Sequence, residues 1–183
     1  PFTDVVAGSW YFDAALYASS HNLMLGTSPT EFSPNITMTR GMLVTVLYRM
    51  NGSPSVSGKT PFTDVRTDEW YSAAVLWAYQ NGIVTGMSDT TFAPINNVTR
   101  EQMATILFRY TKTAAPDKAK ASADLSGFAD AGSVNDWAVD AMRWAVGQKL
   151  IAGITLGQSV YLQPRGNATR AQAATVLTRY YAQ

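Results

Sequence analysis

Apolar residues along this chain fall at helical spacing in a few short stretches, and capping residues and glycine mark where the stretches begin and end. Ala74, Trp77 and Ala78 stand at i, i+3 and i+4. That makes one apolar face and predicts a helix from about Glu69 to Asn81, stopped by Gly82. A second helix is announced more strongly by Thr99-Arg100-Glu101-Gln102. A threonine N-cap with a glutamine three residues on is a capping box, in which each side chain bonds the other's backbone N–H. Met103, Ile106, Leu107 and Tyr110 then share a face, as a core stripe does. Thr169-Arg170-Ala171-Gln172 repeats the box ahead of Ala173, Val176, Leu177 and Tyr180. Leu43, Val46, Leu47 and Met50 form the matching stripe behind Thr39-Arg40.

The pattern is a repeat. Residues 2–50 align with 62–110 without a gap, and 19 of the 49 positions are identical. Phe2-Thr3-Asp4-Val5 falls on Phe62-Thr63-Asp64-Val65, Trp10-Tyr11 on Trp70-Tyr71, and Gly26 on Gly86. Phe32-x-Pro34 falls on Phe92-x-Pro94, Thr39-Arg40 on Thr99-Arg100, and Arg49 on Arg109. A third, more divergent copy reads Phe128-Ala129-Asp130, Trp137, Trp144, Gly153, Pro164, Thr169-Arg170 and Arg179. It carries one small insertion between Asp130 and Trp137 and another between Gly153 and Pro164. The copies divide the chain into repeats at 1–50, 61–111 and 127–183, joined by linkers at 51–60 and 112–126. Both linkers have the Ser-, Gly-, Ala- and Lys-rich composition of exposed, mobile loops.

Each copy therefore reads as helix–loop–helix, and the fold class as mainly α. One helical hairpin cannot bury both of its faces. Three copies can, if their second helices pack around a shared pseudo-threefold axis, leaving three similar clefts between repeats. An open solenoid is the other way such units stack.

Composition narrows the chemistry. A net charge of +1 gives no basic field for nucleic acid, and no apolar run approaches a membrane span. There is no cysteine, and His21 is the sole histidine. Thiolate and His-cluster metal sites are thereby excluded, and a Ser-His-Asp triad has one histidine to draw on. His21 aligns with Asn81 and Gln148 and reads as a surface position. No phosphate loop, zinc motif or calcium loop is present, so no cofactor or metal is expected. The chain opens inside a repeat, and we expect it to be a piece of a longer protein.

Three sets of residues break local rules or carry chemistry. Arg40, Arg100 and Arg170 each begin a helix, where a cation opposes the helix dipole at about 0.3–1 kcal/mol. Something must offset that in all three copies. A bound anion, held by the helix-start N–H groups and the guanidinium fork, is one candidate. Pairing with Asp4, Asp64 or Asp130 is the other. Trp10, Trp70 and Trp137 are either core residues, the commoner state, or platforms for a sugar ring. Trp77, Trp144 and Tyr17 share the first helix's apolar face and belong to the core. Asp4, Asp64 and Asp130 suit turn braces. They are also the best candidates for a catalytic carboxylate, but no second acid recurs at a facing position to complete a hydrolytic pair.

Phe-x-Asp-Val, a following Trp, the turn Gly82-Ile83-Val84-Thr85-Gly86, Phe-x-Pro and a Thr-Arg start, in fixed order three times over, resemble the S-layer homology repeat. The resemblance covers nearly the whole chain apart from the two linkers. It implies a pseudo-trimeric helical module, not an enzyme, that anchors extracellular proteins non-covalently to the Gram-positive cell wall. The implied partner is a secondary cell-wall polysaccharide, often of pyruvylated amino sugars, with the Thr-Arg arginine contributing to binding in the clefts. The ligand-binding set it implies here is Arg40, Arg100, Arg170, Trp10, Trp70, Trp137, Gln102, Gln172, Gly86 and Asp64. The family's Thr-Arg-Ala-Glu glutamate is Gln102 and Gln172 in copies two and three, which keeps the capping box, but Met42 in copy one, which cannot make it. That departure, with Gly41, points to the Arg40 cleft as the weak one; copy two is closest to the family pattern, which puts Arg100 and Trp70 first among the candidates. Copy three lacks the aromatic at the Phe32/Phe92 position unless Tyr161 supplies it. The competing function is a protein-interaction or S-layer assembly module in which the clefts are only core seams.

Overall fold

A computed structural model of the protein describes residues 2–120 and 122–182. It contains six α-helices: α1 (Phe12–Ser20), α2 (Arg40–Met50), α3 (Ser72–Gln80), α4 (Arg100–Ala114), α5 (Val139–Gly147) and α6 (Arg170–Tyr181). One antiparallel hairpin, β1 (Ile154–Leu156) and β2 (Ser159–Tyr161), is the sole sheet among the described residues. No described helix is long and apolar enough to cross a membrane.

The second helix of each copy begins where its threonine predicts. Thr39, Thr99 and Thr169 each accept the third helical N–H, and Gln102 and Gln172 return the bond to make complete capping boxes. Met42 returns none. The first helices start later than the apolar spacing suggests: α3 begins at Ser72 rather than Glu69, after a turn through Trp70 and Tyr71 and with no side-chain cap.

Helices pair between copies rather than within them. α3 packs on α2, α5 on α4, and α1 on α6. The last pairing joins the first copy to the third, so the chain closes on itself and is not an open stack.

The backbone states the same cycle atom by atom. Met38 N–H donates to Ala168 O (2.8 Å), Ala168 N–H to Val98 O (2.9 Å) and Val98 N–H to Met38 O (2.9 Å). The side chains of these three residues are wholly buried. Each second helix then donates its first two N–H groups to the next copy's loop. Arg40 and Gly41 bond Asn96 O and Pro94 O, Arg100 and Glu101 bond Gly166 O and Pro164 O, and Arg170 and Ala171 bond Ile36 O and Pro34 O, all at 2.8–2.9 Å. Helix starts that have no partner within their own helix are thus satisfied by a neighbour.

Trp77 and Trp144 are buried core residues, as their helical face predicts, while Tyr17 is only partly buried and stacks on exposed His21 at 3.9 Å. Both linkers are tied down rather than loose. Tyr48 Oη donates to Pro54 O (2.7 Å), and Gln80 donates to Ser57 O (2.8 Å). In the second connection α4 runs on to Ala114 and a 3-10 turn covers Pro116–Lys120, where Lys118 O accepts Trp144 Nε1–H (2.9 Å).

Candidate functional site

The recurring Asp and Arg act on the same peptide from opposite sides. Asp64 accepts the N–H of Phe92 (2.9 Å) and of Ala93 (2.7 Å), and Phe92 O accepts Arg40 Nε–H (2.9 Å). Asp130, Leu162 and Arg100 repeat this at 2.7 and 2.7 Å, and Asp4, Phe32 and Arg170 at 2.8 and 2.9 Å. In every case the Asp belongs to the same copy as the peptide and the Arg to the copy before it. Ser33, Ala93 and Gln163, the second residues held by each carboxylate, all have left-handed backbones (φ 56°, 58° and 50°). The carboxylates are therefore turn braces. Asp64 holds a loop and does not line either of the two clefts described below.

Neither explanation offered for the helix-start arginines stands as written. The helix-start N–H groups are occupied by the neighbouring loop and the threonine cap, so they are not free to hold an anion. No arginine–aspartate contact of this set is close enough to be an ion pair; the two salt bridges among the described residues are Arg66–Asp68 and Lys120–Asp117. What fixes each arginine is a carbonyl across the inter-copy boundary, and for Arg40 and Arg170 also a phenylalanine ring beneath the guanidinium, 4.7 and 4.8 Å away. Arg100 has Leu162 instead. That leucine, wholly buried, fills the Phe32/Phe92 position; Tyr161 does not. Burial lowers all three arginines below the ordinary guanidinium range, and Asp64, Asp130 and Asp4 respectively draw them partly back.

Beyond these Nε bonds, Arg40 and Arg100 each line a cavity. Arg40 opens into one of about 360 Å³ with Thr85, Gly86, Met87, Gln102, Arg109 and Trp137. Arg100 opens into one of about 400 Å³ with Trp10, Gly153, Ile154, Gln172, Val176 and Arg179. Every copy contributes to each: the arginine from one, the glycine turn and second helix from the next, the tryptophan from the third. The helix wall is one face of α4 or α6, Gln-x-x-Thr-(Ile/Val)-x-x-Arg at i, i+3, i+4 and i+7.

The glycine turn is required by its packing. Gly86 has φ 83°, and a Cβ there would lie 2.6 Å from Phe62 Cε1 and 2.5 Å from Ser88 O. Gly153 meets Phe128 in the same way. The Phe of each Phe-x-Asp strip thus seats the turn that walls the cleft.

The tryptophans are not core. Trp10, Trp70 and Trp137 are 66%, 58% and 54% exposed, more than enough to receive a ligand ring. Arg100 and Trp70, the residues of the copy closest to the family pattern, do not line one cavity: Trp10 lines that of Arg100, and Trp137 that of Arg40. Met42, the ground for expecting a weak Arg40 cleft, does not line it; Gln102 of the next copy does. Arg170 is the exception, since its Nη2 donates to Leu25 O at 2.6 Å and is turned onto backbone.

Two kinds of contributor, an arginine pair and a glutamate, have no role assigned from sequence. Arg109 and Arg179 line the clefts, and their signal was their recurrence with Arg49 at one register. The other is Glu101, whose buried carboxylate accepts Asn135 N–H (3.0 Å) and the Asn135 amide (2.5 Å), anchoring the segment that carries Trp137. Gly41 occupies the equivalent position in copy one, where the Tyr71 ring lies 3.4 Å from where a Cβ would be. Among the described residues no cluster of His, Asp or Glu is arranged to hold a metal.

The S-layer homology domain model matches residues 1–41, 61–104 and 127–174, the three copies in turn. The chain is 34% identical over 178 residues to an endoglucanase of Bacillus sp. (strain KSM-635), covering 97% of this chain and 18% of that protein. It is 32% identical over 154 residues to a surface-layer 125 kDa protein of Lysinibacillus sphaericus, covering 84% of this chain and 12% of the relative. An amylopullulanase of Thermoanaerobacterium thermosulfurigenes is 29% identical over 177 residues, 96% of this chain and 9% of its own. The chain thus spans less than a fifth of these relatives' length. The family match and the surface-layer relatives place it at the cell surface, on the cell wall. The chain belongs to the S-layer homology domain family, as three tandem repeats.

Proposed function

We propose that the chain is a non-catalytic anchoring module that holds a longer surface protein to an anionic secondary cell-wall polysaccharide, of the pyruvylated amino-sugar kind, through its inter-repeat clefts. The three repeats, 1–50, 61–111 and 127–183, would pack as a pseudo-threefold helical bundle. The cyclic backbone bonds of Met38, Val98 and Ala168 and the α1–α6 pairing support that arrangement. The observation that carries the binding reading is the repeated cleft itself: a guanidinium with no carboxylate partner on the floor, a second arginine on the wall, and an exposed tryptophan opposite. A cation fork suits a sugar carboxylate, and an indole face suits the ring that bears it.

Arg40, Gln102, Gly86 and Trp137 would form one site, and Arg100, Gln172 and Trp10 the other. Arg170 and Trp70 would contribute less, because Arg170 is engaged by Leu25 O, and Asp64 would act only by shaping the loop. Any catalysis would belong to other parts of the full protein, as in the endoglucanase, of which the matched stretch is 18%.

The test is co-sedimentation with Gram-positive sacculi, intact or stripped of secondary polymer. Because Arg100 also bonds Leu162 O, Arg100→Ala is run beside Trp10→Ala and Trp137→Ala, which alter exposed side chains and leave the fold intact. Binding to intact sacculi alone, weakened by each variant, is the expected result. Equal binding to stripped sacculi, or concentration-dependent self-association without glycan, would replace this reading with an assembly module.

A further inference from the structure

The two clefts share a plan but not a chemistry. In the first, Arg40 and Arg109 face one cavity and neither has a carboxylate within ion-pair distance. Arg109 makes only a long 3.5 Å contact to the Thr85 hydroxyl, and its charge further lowers the Arg40 guanidinium. Two like charges with open donors in a cavity of about 360 Å³ are stabilised by an anion placed between them.

The second cleft differs at three points. Arg179 is committed: its Nη1 donates to Leu150 O (3.2 Å) and Lys149 O (3.4 Å). Ala152 stands where the first cleft has Thr85, so the wall loses its hydroxyl. The insertion after Gly153 folds as the β1–β2 hairpin, which sets Ile154 beside Ile151 and Val176 as an apolar wall of the cavity that Trp10 also lines. Arg100 is then the guanidinium with no second carbonyl tie, and with Gln172 and Thr175 it faces a wall that carries more apolar side chains than the first cleft's.

We propose that the clefts read different features of one polymer: the Arg40–Arg109 cleft takes the acidic substituent, and the Trp10–hairpin cleft takes an uncharged sugar ring. Position 85/152 and the commitment of the second arginine set the division. The proposal rests on the reading of the clefts as wall-glycan sites. It adds that losing the acid from the polymer silences one cleft and spares the other.

The indole N–H resonances separate the two sites, because Trp137 lines the first cleft and Trp10 the second, with Trp70 outside both. The ¹⁵N-labelled chain is titrated with an oligosaccharide fragment of pyruvylated secondary polymer, and with the same fragment after mild acid has removed the ketal. The expected result is that the Trp137 signal moves only with the acidic fragment. That shift should fade as salt rises from about 50 to about 500 mM, which screens the ion contacts. Arg109→Ala should weaken it by about tenfold, the value of one charge-assisted bond. The Trp10 signal moves with both fragments and changes by less than about twofold in the Arg109→Ala variant. Joint movement of both signals, with the same dependence on acid and salt, would overturn the division while leaving the glycan reading in place. If neither signal moves with either fragment, the glycan reading fails and this proposal with it.

Discussion

The carboxylate of Asp64 is the perturbation that tests the repeat's architecture most directly. It accepts two backbone N–H groups, from Phe92 at 2.9 Å and Ala93 at 2.7 Å, and Ala93 is a non-glycine residue in the left-handed region. Hydrogen bonds to a charged group contribute about 1.5–3 kcal/mol each. The loop is partly exposed, so water recovers part of that when the side chain is removed. Asp64→Ala should therefore cost about 2–4 kcal/mol. In a chain of this size each kcal/mol moves the melting temperature by about 2–4 °C, so a fall of about 5–15 °C is expected in calorimetry. Asp64→Asn should do no better, because its amide turns a donor toward one of the two N–H groups. The loss should shrink but not vanish in an Arg40→Ala background, since the two side chains share the Phe92–Ala93 peptide without touching each other. Wild-type stability for Asp64→Asn would refute the two-oxygen brace. Disappearance of the effect in the Arg40→Ala background would show instead that a direct Asp–Arg attraction dominates.

Other outcomes follow from the same geometry. Gly86→Ala should destabilise by about 2–4 kcal/mol in urea unfolding, because the added Cβ meets Phe62 and two backbone oxygens at a positive φ. Glu101→Ala should free Asn135 and loosen the Trp137 segment, seen as a change in the Trp137 indole signal and weaker binding to sacculi, with the Trp10 signal unmoved. Arg40→Lys keeps the charge but cannot both bond Phe92 O and lie flat on the Phe92 ring; it should lower the melting temperature and reduce binding, and wild-type behaviour would show that charge alone matters.

Much of this was legible in the chain because the repeat turns weak local signals into strong ones. The three Thr caps, the two full capping boxes and the failure of Met42 to complete a third were readable from four-residue windows. The partners of Arg40, Arg100 and Arg170 were not, because each lies in the next copy, 52, 62 and 138 residues away. Local physics registered only that a cation sat at an unfavourable place. The tryptophans misled for a related reason. Composition favours burial of indoles, but Trp10, Trp70 and Trp137 fall in the turn before the first helix, not on its face. The hairpin after Gly153 was visible as an insertion, yet its strands pair only three residues each, too few for an alternating pattern to register. Arg109 and Arg179 were seen to recur, but their role appears only once another copy's arginine and tryptophan face the same cavity.

On the proposed reading, the clamp on Phe92, Leu162 and Phe32 would make anchoring and folding share residues. A guanidinium with its Nε on a neighbour's carbonyl is held by the packing of two repeats, so Arg40 and Arg100 would be fixed at their clefts before any ligand arrives. The same bond ties each repeat to the next, and the α1–α6 pairing ties the last to the first. In an open repeat array a local loss stays local. In a closed ring, opening one boundary uncovers two faces at once, and the cleft at that boundary loses its floor from one repeat and its wall from another. Binding geometry is thereby as cooperative as the fold, and a site assembled from three copies exists only when all three are in place.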